Sequence, residues 1–399
     1  MQDLDCWVWT RRPCGRVRFF AGAARKASKP RAIDTPRLAQ PNIRAANLPT
    51  PAEMAPRHSF AGRVSRPQHL PGTSVALPPA TSTSSPPKIR ADRERGNARM
   101  RPDLQLFTFP DSENLARQVA GRLRLPLQPI EVHSFPDGES LIRVEASSPG
   151  NALIFRSLDR PNEKLIELFF ATDALHRQGI ERIGLVAPYL CYMRQDRVFL
   201  PGQSLSQQTV ARLLGSHFDD VLTIEAHLHR IRALSDVFPC RARSISAAPA
   251  LASWLCHHSD RAVLIGPDAE SEPWVRAIAQ EASLEWRLAA KRRHGDREVR
   301  IDLPPLPANT ERVWIVDDIG SSGTTLETLA RILQRRGVAL IGAIVVHPLF
   351  EQGALERLRE SGIDQLVSCD GVRHPTNEIP LAPLLSEVIE ERWLAQEVA

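Results

Sequence analysis

The chain has 399 residues, 42% of them hydrophobic and 24% charged, which leaves room for two or three folded domains. Its charge is uneven: residues 1–99 carry 18 Lys+Arg against 6 Asp+Glu, a net of +12, leaving −7 for residues 100–399 within a whole-chain total of +5. The mildly acidic remainder argues against a nucleic-acid surface, and no apolar run reaches the ~18 residues of a membrane span. Six dispersed cysteines (6, 14, 191, 240, 256 and 369) show neither metal-ligand spacing nor a disulfide framework, so a soluble, cytoplasmic protein is expected.

Residues 1–99 are rich in Pro, Arg, Ala and Ser, have no sustained hydrophobic period, and include the low-complexity run 81–87. Such a segment buries too little apolar area to offset its ordering entropy and is predicted to be disordered. Three origins fit it: an organellar transit segment, which would make the location organellar, a polyanion-binding arm, or an upstream stretch ahead of a start at Met100. The last is preferred, because Met100-Arg101-Pro102-Asp103 runs straight into a strand.

From there strands and helices alternate. A strand over 104–109 precedes a helix opened by Asp111-Ser112-Glu113-Asn114, with apolar positions at Leu115, Val119 and Leu123. Strands are predicted over 130–135, 141–144 and 152–155, a helix over 163–177, a strand over 182–187, a helix over 204–215 and a strand over 221–224. A second series comprises 262–265, 275–281, 313–316, 325–335, 340–346, 353–360, 365–368 and 383–393. This alternation predicts an α/β chain of two doubly wound, mostly parallel sheets, one in each of two domains of similar size (100–250 and 251–399). A diverged duplication is one explanation, although no sequence repeat is obvious.

The most informative run is Val313-Trp314-Ile315-Val316-Asp317-Asp318-Ile319-Gly320-Ser321-Ser322-Gly323-Thr324-Thr325. A strand ends in two carboxylates, and a turn of small residues opens a helix continued by Leu326, Leu329, Ala330 and Leu333. Unpaired N–H groups and the positive end of the dipole at such a helix start bind phosphate. The hydroxyls of Ser321, Ser322, Thr324 and Thr325 add donors, and Gly323 allows close backbone approach. Asp317 and Asp318 are acceptors for a vicinal diol, or for Mg²⁺ through water. Phosphate beside diol describes ribose 5-phosphate; the plain alternative is a strand–helix turn with two solvated carboxylates.

That run resembles the phosphoribosyl-diphosphate (PRPP) binding motif of type I phosphoribosyltransferases and of ribose-phosphate diphosphokinases. A second run favours the latter. Pro188-Tyr189 with Tyr192-Met193-Arg194-Gln195-Asp196-Arg197, at the end of a buried strand, is similar to the diphosphokinases' ATP-binding run, and no Walker loop occurs anywhere. Phe135-Pro136-Asp137-Gly138-Glu139 is similar to that family's loop reaching a neighbouring subunit's adenine. The resemblance spans about 104–389 and implies a phosphoribosyltransferase-like fold in each half.

It further implies that Phe135 and Arg194 sandwich adenine, that Asp137 and Glu139 fix its amino edge across a subunit interface, and that Gln195 and Arg197 handle the nucleotide. His227 corresponds to a metal-site histidine near the triphosphate, with neighbouring His229 leaving the choice of imidazole open. Asp268 corresponds to a carboxylate near Mg²⁺, and Lys291 and Arg293 to a catalytic loop. The implied partners are ATP, ribose 5-phosphate and further copies of the chain, with no nucleic acid or membrane. Departures from the family pattern are Ser321 in place of a third acidic residue, Glu225 for a more usual Asp, and Ala269-Glu270-Ser271 where glycines are common. Two other readings stay open: a phosphoribosyltransferase consuming PRPP, and a catalytically silent regulatory paralogue.

Overall fold

The structure is a computed structural model describing residues 104–394 except 229, 260 and 295–297, with only the backbone of 291–294 and 298–300. The segment 1–99, the start at Met100 and His229 therefore lie outside the described residues.

Strand β1 (Leu104–Thr108) leads into α1 (Glu113–Leu123) and β2 (Leu127–Pro129). A hairpin of β3 (Glu131–Ser134) and β4 (Ser140–Arg143) follows. Next come β5 (Gly150–Phe155), α2 (Pro161–His176), β6 (Ile180–Ala187), α3 (Ser206–Gly215), β7 (Asp220–Ile224) and β8 (Arg241–Ile245). Helix α4 (Ala248–His258) connects to the second half: β9 (Val263–Gly266), α5 (Glu272–Ala282), β10 (Glu285–Leu288) and a hairpin of β11 (Ala290–His294) and β12 (Glu298–Asp302). The chain closes with β13 (Arg312–Gly320), α6 (Thr324–Arg335), β14 (Leu340–Pro348), α7 (Ala354–Glu360), β15 (Gln365–Cys369), β16 (Asn377–Ile379) and α8 (Ala382–Ile389).

The two six-stranded sheets are wholly parallel, in the orders β2-β1-β5-β6-β7-β8 and β10-β9-β13-β14-β15-β16. The order is the same in both halves. Each half also sets an antiparallel hairpin between its second and third sheet strands. The two halves thus repeat one topology although no sequence repeat is obvious.

Side-chain alternation along the strands builds three apolar layers. Leu106, Leu153 and Phe155 of the first sheet and Leu264, Trp314 and Val316 of the second face one shared core with α1, α4, α5 and α8. Phe107, Ile154 and Leu185 face α2 and α3, while Val313, Ile315 and Val345 face α6. In the shared core Trp314 is fully buried, its indole N–H donates to Ser259 Oγ at 2.7 Å, and Gly342 must be glycine because a Cβ there would lie 2.2 Å from the indole. Helix α8 crosses back onto α1, and Arg392 beyond it pairs with buried Asp220 at 2.7 Å.

Some expected elements differ. The strands expected over 130–135 and 141–144 are present, but as β3 and β4 of a two-stranded antiparallel sheet outside the six-stranded one. The single helix expected over 383–393 ends at Ile389 and continues as a π-helical turn, Glu390–Leu394. The division at 250/251 falls inside α4. Strands β2, β8, β10, β11, β12 and β16 and helix α4 were not anticipated.

Candidate active site

β13 is longer than its apolar core, because pairing with β14 continues past Asp317 to Gly320. Its end and the start of α6 form one wall of a cavity of about 400 Å³, lined by Asp317, Asp318, Ser321, Ser322, Gly323, Thr324 and Thr325. Gly323 caps α6 at φ +78, a left-handed geometry that favours glycine, so the turn is capped by backbone conformation while its hydroxyls face the cavity. Ser322 Oγ and Thr324 Oγ1 lie 3.1 Å apart. Asp268, just beyond β9, also lines the cavity and accepts the backbone N–H groups of Glu270 (3.2 Å) and Ser271 (3.3 Å). The first half contributes Arg194, Glu225 and His227. Residues more than 90 positions apart in sequence therefore share one crevice outside the carboxyl ends of two parallel sheets, where open α/β folds place their ligands.

The two adjacent carboxylates are not equivalent. Burial, then the charges of Asp318 and Asp268, push Asp317 well above the usual carboxylate range. Burial opposes ionisation of Asp318 too, but the hydrogen bond and charge of His227 outweigh it and hold Asp318 below that range. His227 Nδ1 is in direct contact with Asp318 Oδ2, and the Asp318 backbone N–H donates to Asp317 Oδ1 at 3.0 Å. The two neighbouring carboxyls are thus pushed in opposite directions, Asp317 towards holding its proton and Asp318 towards releasing it.

The remaining expected residues are less centrally placed. Gln195 and Arg197 are absent from the cavity wall; the Gln195 carbonyl accepts from Gln207 N at 3.2 Å, and Arg197 stacks 4.5 Å from the Phe199 ring centroid. Phe135, Asp137 and Glu139 sit at the β3–β4 hairpin tip, away from this chain's cavity, with Phe135 41% exposed. Asp137 Oδ1 accepts from Glu139 N at 3.1 Å, shaping the tip. Lys291 and Arg293 lie on β11, a strand paired with β12, where a loop was expected; their side chains are outside the described residues.

Four residues at or beside the site were given no role by sequence reasoning, which named Glu225 and Glu270 only as departures from the family pattern. Trp274 and Glu270 line the cavity. Glu225 adopts φ +41, strain costing about 1–3 kcal/mol for a non-glycine residue. His347 on β14 is 1% exposed and donates from Nε2 to the carbonyls of Ile224 (3.0 Å) and Glu225 (3.3 Å). Burial lowers its pKa to about 4. An isolated His in an apolar strand carries no local signal; only the fold shows what it touches.

Two tandem α/β units of this topology, with paired carboxylates and a small-residue helix start at the sheet ends, define a phosphoribosyltransferase-type fold. Residues 104–217 match the N-terminal domain of ribose phosphate pyrophosphokinase, and residues 243–381 match the phosphoribosyl transferase domain. A ribose-phosphate pyrophosphokinase from Methanopyrus kandleri is 31% identical over 279 residues, covering 69% of this chain and 95% of its own. Ribose-phosphate pyrophosphokinase 2 of Archaeoglobus fulgidus is 32% identical, covering 72% and 100%. The crystal structure of phosphoribosylpyrophosphate synthetase from Mycobacterium smegmatis shares the fold with a TM-score of 0.62 at 23% identity, over 72% of this chain and 97% of that one. The chain belongs to the ribose-phosphate pyrophosphokinase family, a family of enzymes.

Proposed function

We propose that the chain transfers the diphosphoryl group of ATP to the C1 hydroxyl of ribose 5-phosphate, yielding PRPP and AMP. The observation that carries this reading is the meeting, in one cavity, of a hydroxyl-rich helix start, two adjacent carboxyl side chains and a guanidinium from the other half. The 5-phosphate fits the N–H groups and hydroxyls of Ser321, Ser322, Gly323, Thr324 and Thr325. Asp317 and Asp318 accept from the ribose diol. The C1 oxygen attacks the β-phosphorus, the bond from that phosphorus to the α-phosphate oxygen breaks, AMP leaves, and the hydroxyl proton is released. Little covalent work falls to the protein, so positioning and charge neutralisation by Arg194, Lys291 and Arg293 dominate.

The donor set fits Mg²⁺ carried in by the nucleotide. Among the described residues no three His, Cys, Asp or Glu side chains form a metal cage, and Mg²⁺ is commonly held by one or two carboxylates together with substrate phosphates. Asp268 and His227 are the residues we assign to it, and when bound it neutralises charge on the transferring phosphates. Gln195 and Arg197 contact the nucleotide. Phe135, Asp137 and Glu139 lie away from their own chain's cavity, which suits a role at the adenine of a neighbouring copy, so the working enzyme is a homo-oligomer. No helix among the described residues is long and apolar enough to cross a membrane; a cytoplasmic location is part of the proposal.

Incubation of the purified protein with Mg-ATP and ribose 5-phosphate tests the reading. AMP formation dependent on ribose 5-phosphate is expected. AMP formation from PRPP and adenine alone would instead indicate a phosphoribosyltransferase, and no turnover with either pair a silent paralogue.

A further inference from the structure

His347 is buried, yet its side chain does more than fill space. The Nε2 atom faces two carbonyl oxygens, Ile224 at 3.0 Å and Glu225 at 3.3 Å, so it must carry the proton. Nδ1 is then a bare acceptor, and it has no hydrogen-bond partner among the described residues. A ring chosen for packing alone would be replaced by an apolar side chain without this orphaned atom. The donor from Nε2 is what the site keeps.

Its target is the bend at which the first half enters the cavity. Glu225 follows the last residue of β7 with φ +41, and such a conformation persists only when neighbours fix it from several sides. Its N–H donates to Ile245 O at 2.8 Å, and its carboxylate accepts from Ser246 Oγ (2.9 Å) and Ala247 N (2.8 Å). Ala226 N donates to Ser244 Oγ at 2.9 Å. All of those partners belong to the first half. The His347 contact alone, of these, arrives from the second sheet, where His347 lies opposite Ile319 in the β13–β14 register, next to Asp318. Two residues beyond Glu225, His227 meets Asp318. One strand pair therefore holds both Asp318 and the donor that anchors the bend from which His227 is hung. Tyr189, 5.0 Å away edge-on, packs against the His347 ring from the first half.

We propose that His347 is a positioning residue for diphosphoryl transfer, acting through the Glu225 carbonyl to set His227 against Asp318. The proposal rests on the reaction assigned above. Glutamine places its amide N–H near Nε2 of the imidazole, whereas asparagine reaches only the Nδ1 position, so the two substitutions separate the hydrogen bond from general polarity. In the full chain, His347→Asn should lower kcat roughly 10–10²-fold, with His347→Gln within about threefold of the original protein. In a His227→Ala background, His347→Asn should cost less than about threefold more, because the residue through which it acts is gone. A loss equal in both backgrounds, or a glutamine variant as impaired as the asparagine one, would overturn the proposal. Imidazole ¹⁵N spectra give a second readout independent of turnover: the His227 resonances should shift in His347→Asn and hold in His347→Gln. Absence of AMP formation by the original protein would remove the assigned reaction, while those spectra would still decide the positioning; unmoved His227 resonances in both variants would contradict it.

Discussion

The two halves share one topology and differ in what they do with it. At the end of β9, Pro267-Asp268 opens onto the cavity; at the end of β1, the topologically matching Pro110-Asp111 does not. Asp111 is instead paired with Arg156 (3.4 Å) and Lys164 (3.0 Å), and Lys164 also pairs with Asp159 at 2.8 Å. Arg156 in turn contacts Glu167 and lies 3.8 Å from the Phe109 ring centroid. β5, the counterpart of β13, runs into this network where β13 runs into Asp317 and Asp318. The first half has tied Asp111 into internal ion pairs; the second has left its carboxylates facing a cavity whose guanidinium, among the described residues, comes from the first half. Topology supplies the place for a site, and the loops decide whether it is filled.

Breaking the ion-pair network of the first half should cost stability and spare chemistry. Arg156→Met leaves Glu167, whose side chain is 8% exposed, without its counter-charge, and should destabilise the fold by about 3–5 kcal/mol in urea unfolding. Turnover per folded molecule should hold.

The open crevice should behave in the opposite way. Lys291→Ala should lower kcat ~10²-fold with modest change in KM, since its charge matters most while the diphosphoryl group is between donor and acceptor. Steady-state AMP formation measures this, and an unchanged kcat would remove Lys291 from the mechanism. Asp317→Asn and Asp318→Asn should weaken ribose 5-phosphate about tenfold or more while leaving ATP nearly unaffected. Calorimetric titration of each ligand checks it; an equal loss for ATP would contradict the division of labour between the halves.

The strut between the halves sets an acid limit. His347 has its pKa lowered from 6.5 to about 4 by burial. The unfolded chain therefore binds a proton below pH 6.5 that the native chain refuses until about pH 4, and stability falls across that window. Relative to His347→Gln, the original protein should lose about 3 kcal/mol between pH 6.5 and pH 4. The raised Asp317 and Glu225 have the opposite sign, losing stability as pH rises, and cancel in the comparison to the extent that both proteins share them. Nearby Asp318 favours the protonated ring and His227 disfavours it. Parallel unfolding curves from pH 8 to 4 would contradict the burial account.

The smallest effect is expected from removing residues 1–99, which lie outside the described structure. Their Pro-rich, acid-poor composition predicts no docking face, so a chain beginning at Met100 should match the full chain in thermal midpoint and turnover.

The open crevice was largely legible in sequence because its chemistry is local: strand, carboxylates, small-residue turn and helix follow one another within 313–335. The parallel strands with buried apolar runs, such as β6 and β14, were legible for the same reason. β8 (Arg-Ala-Arg-Ser-Ile) and β11 (Ala-Lys-Arg-Arg-His) were not, because their identity comes from pairing and not from hydrophobicity. The His227–Asp318 contact joins residues 91 positions apart; the family resemblance singled out both residues but not their meeting. The bend at Glu225 and its tie to His347 depend on backbone geometry that residue types do not announce.

The central claim is that the crevice of the second half, completed by the first, moves a diphosphoryl group as a unit. ³¹P NMR of the purified protein with Mg-ATP and ribose 5-phosphate tests it most directly. The β- and γ-phosphorus signals of ATP should move together onto the ribose as PRPP while AMP appears in equal amount. Appearance of ADP with a singly phosphorylated sugar, or of free phosphate without PRPP, would contradict it.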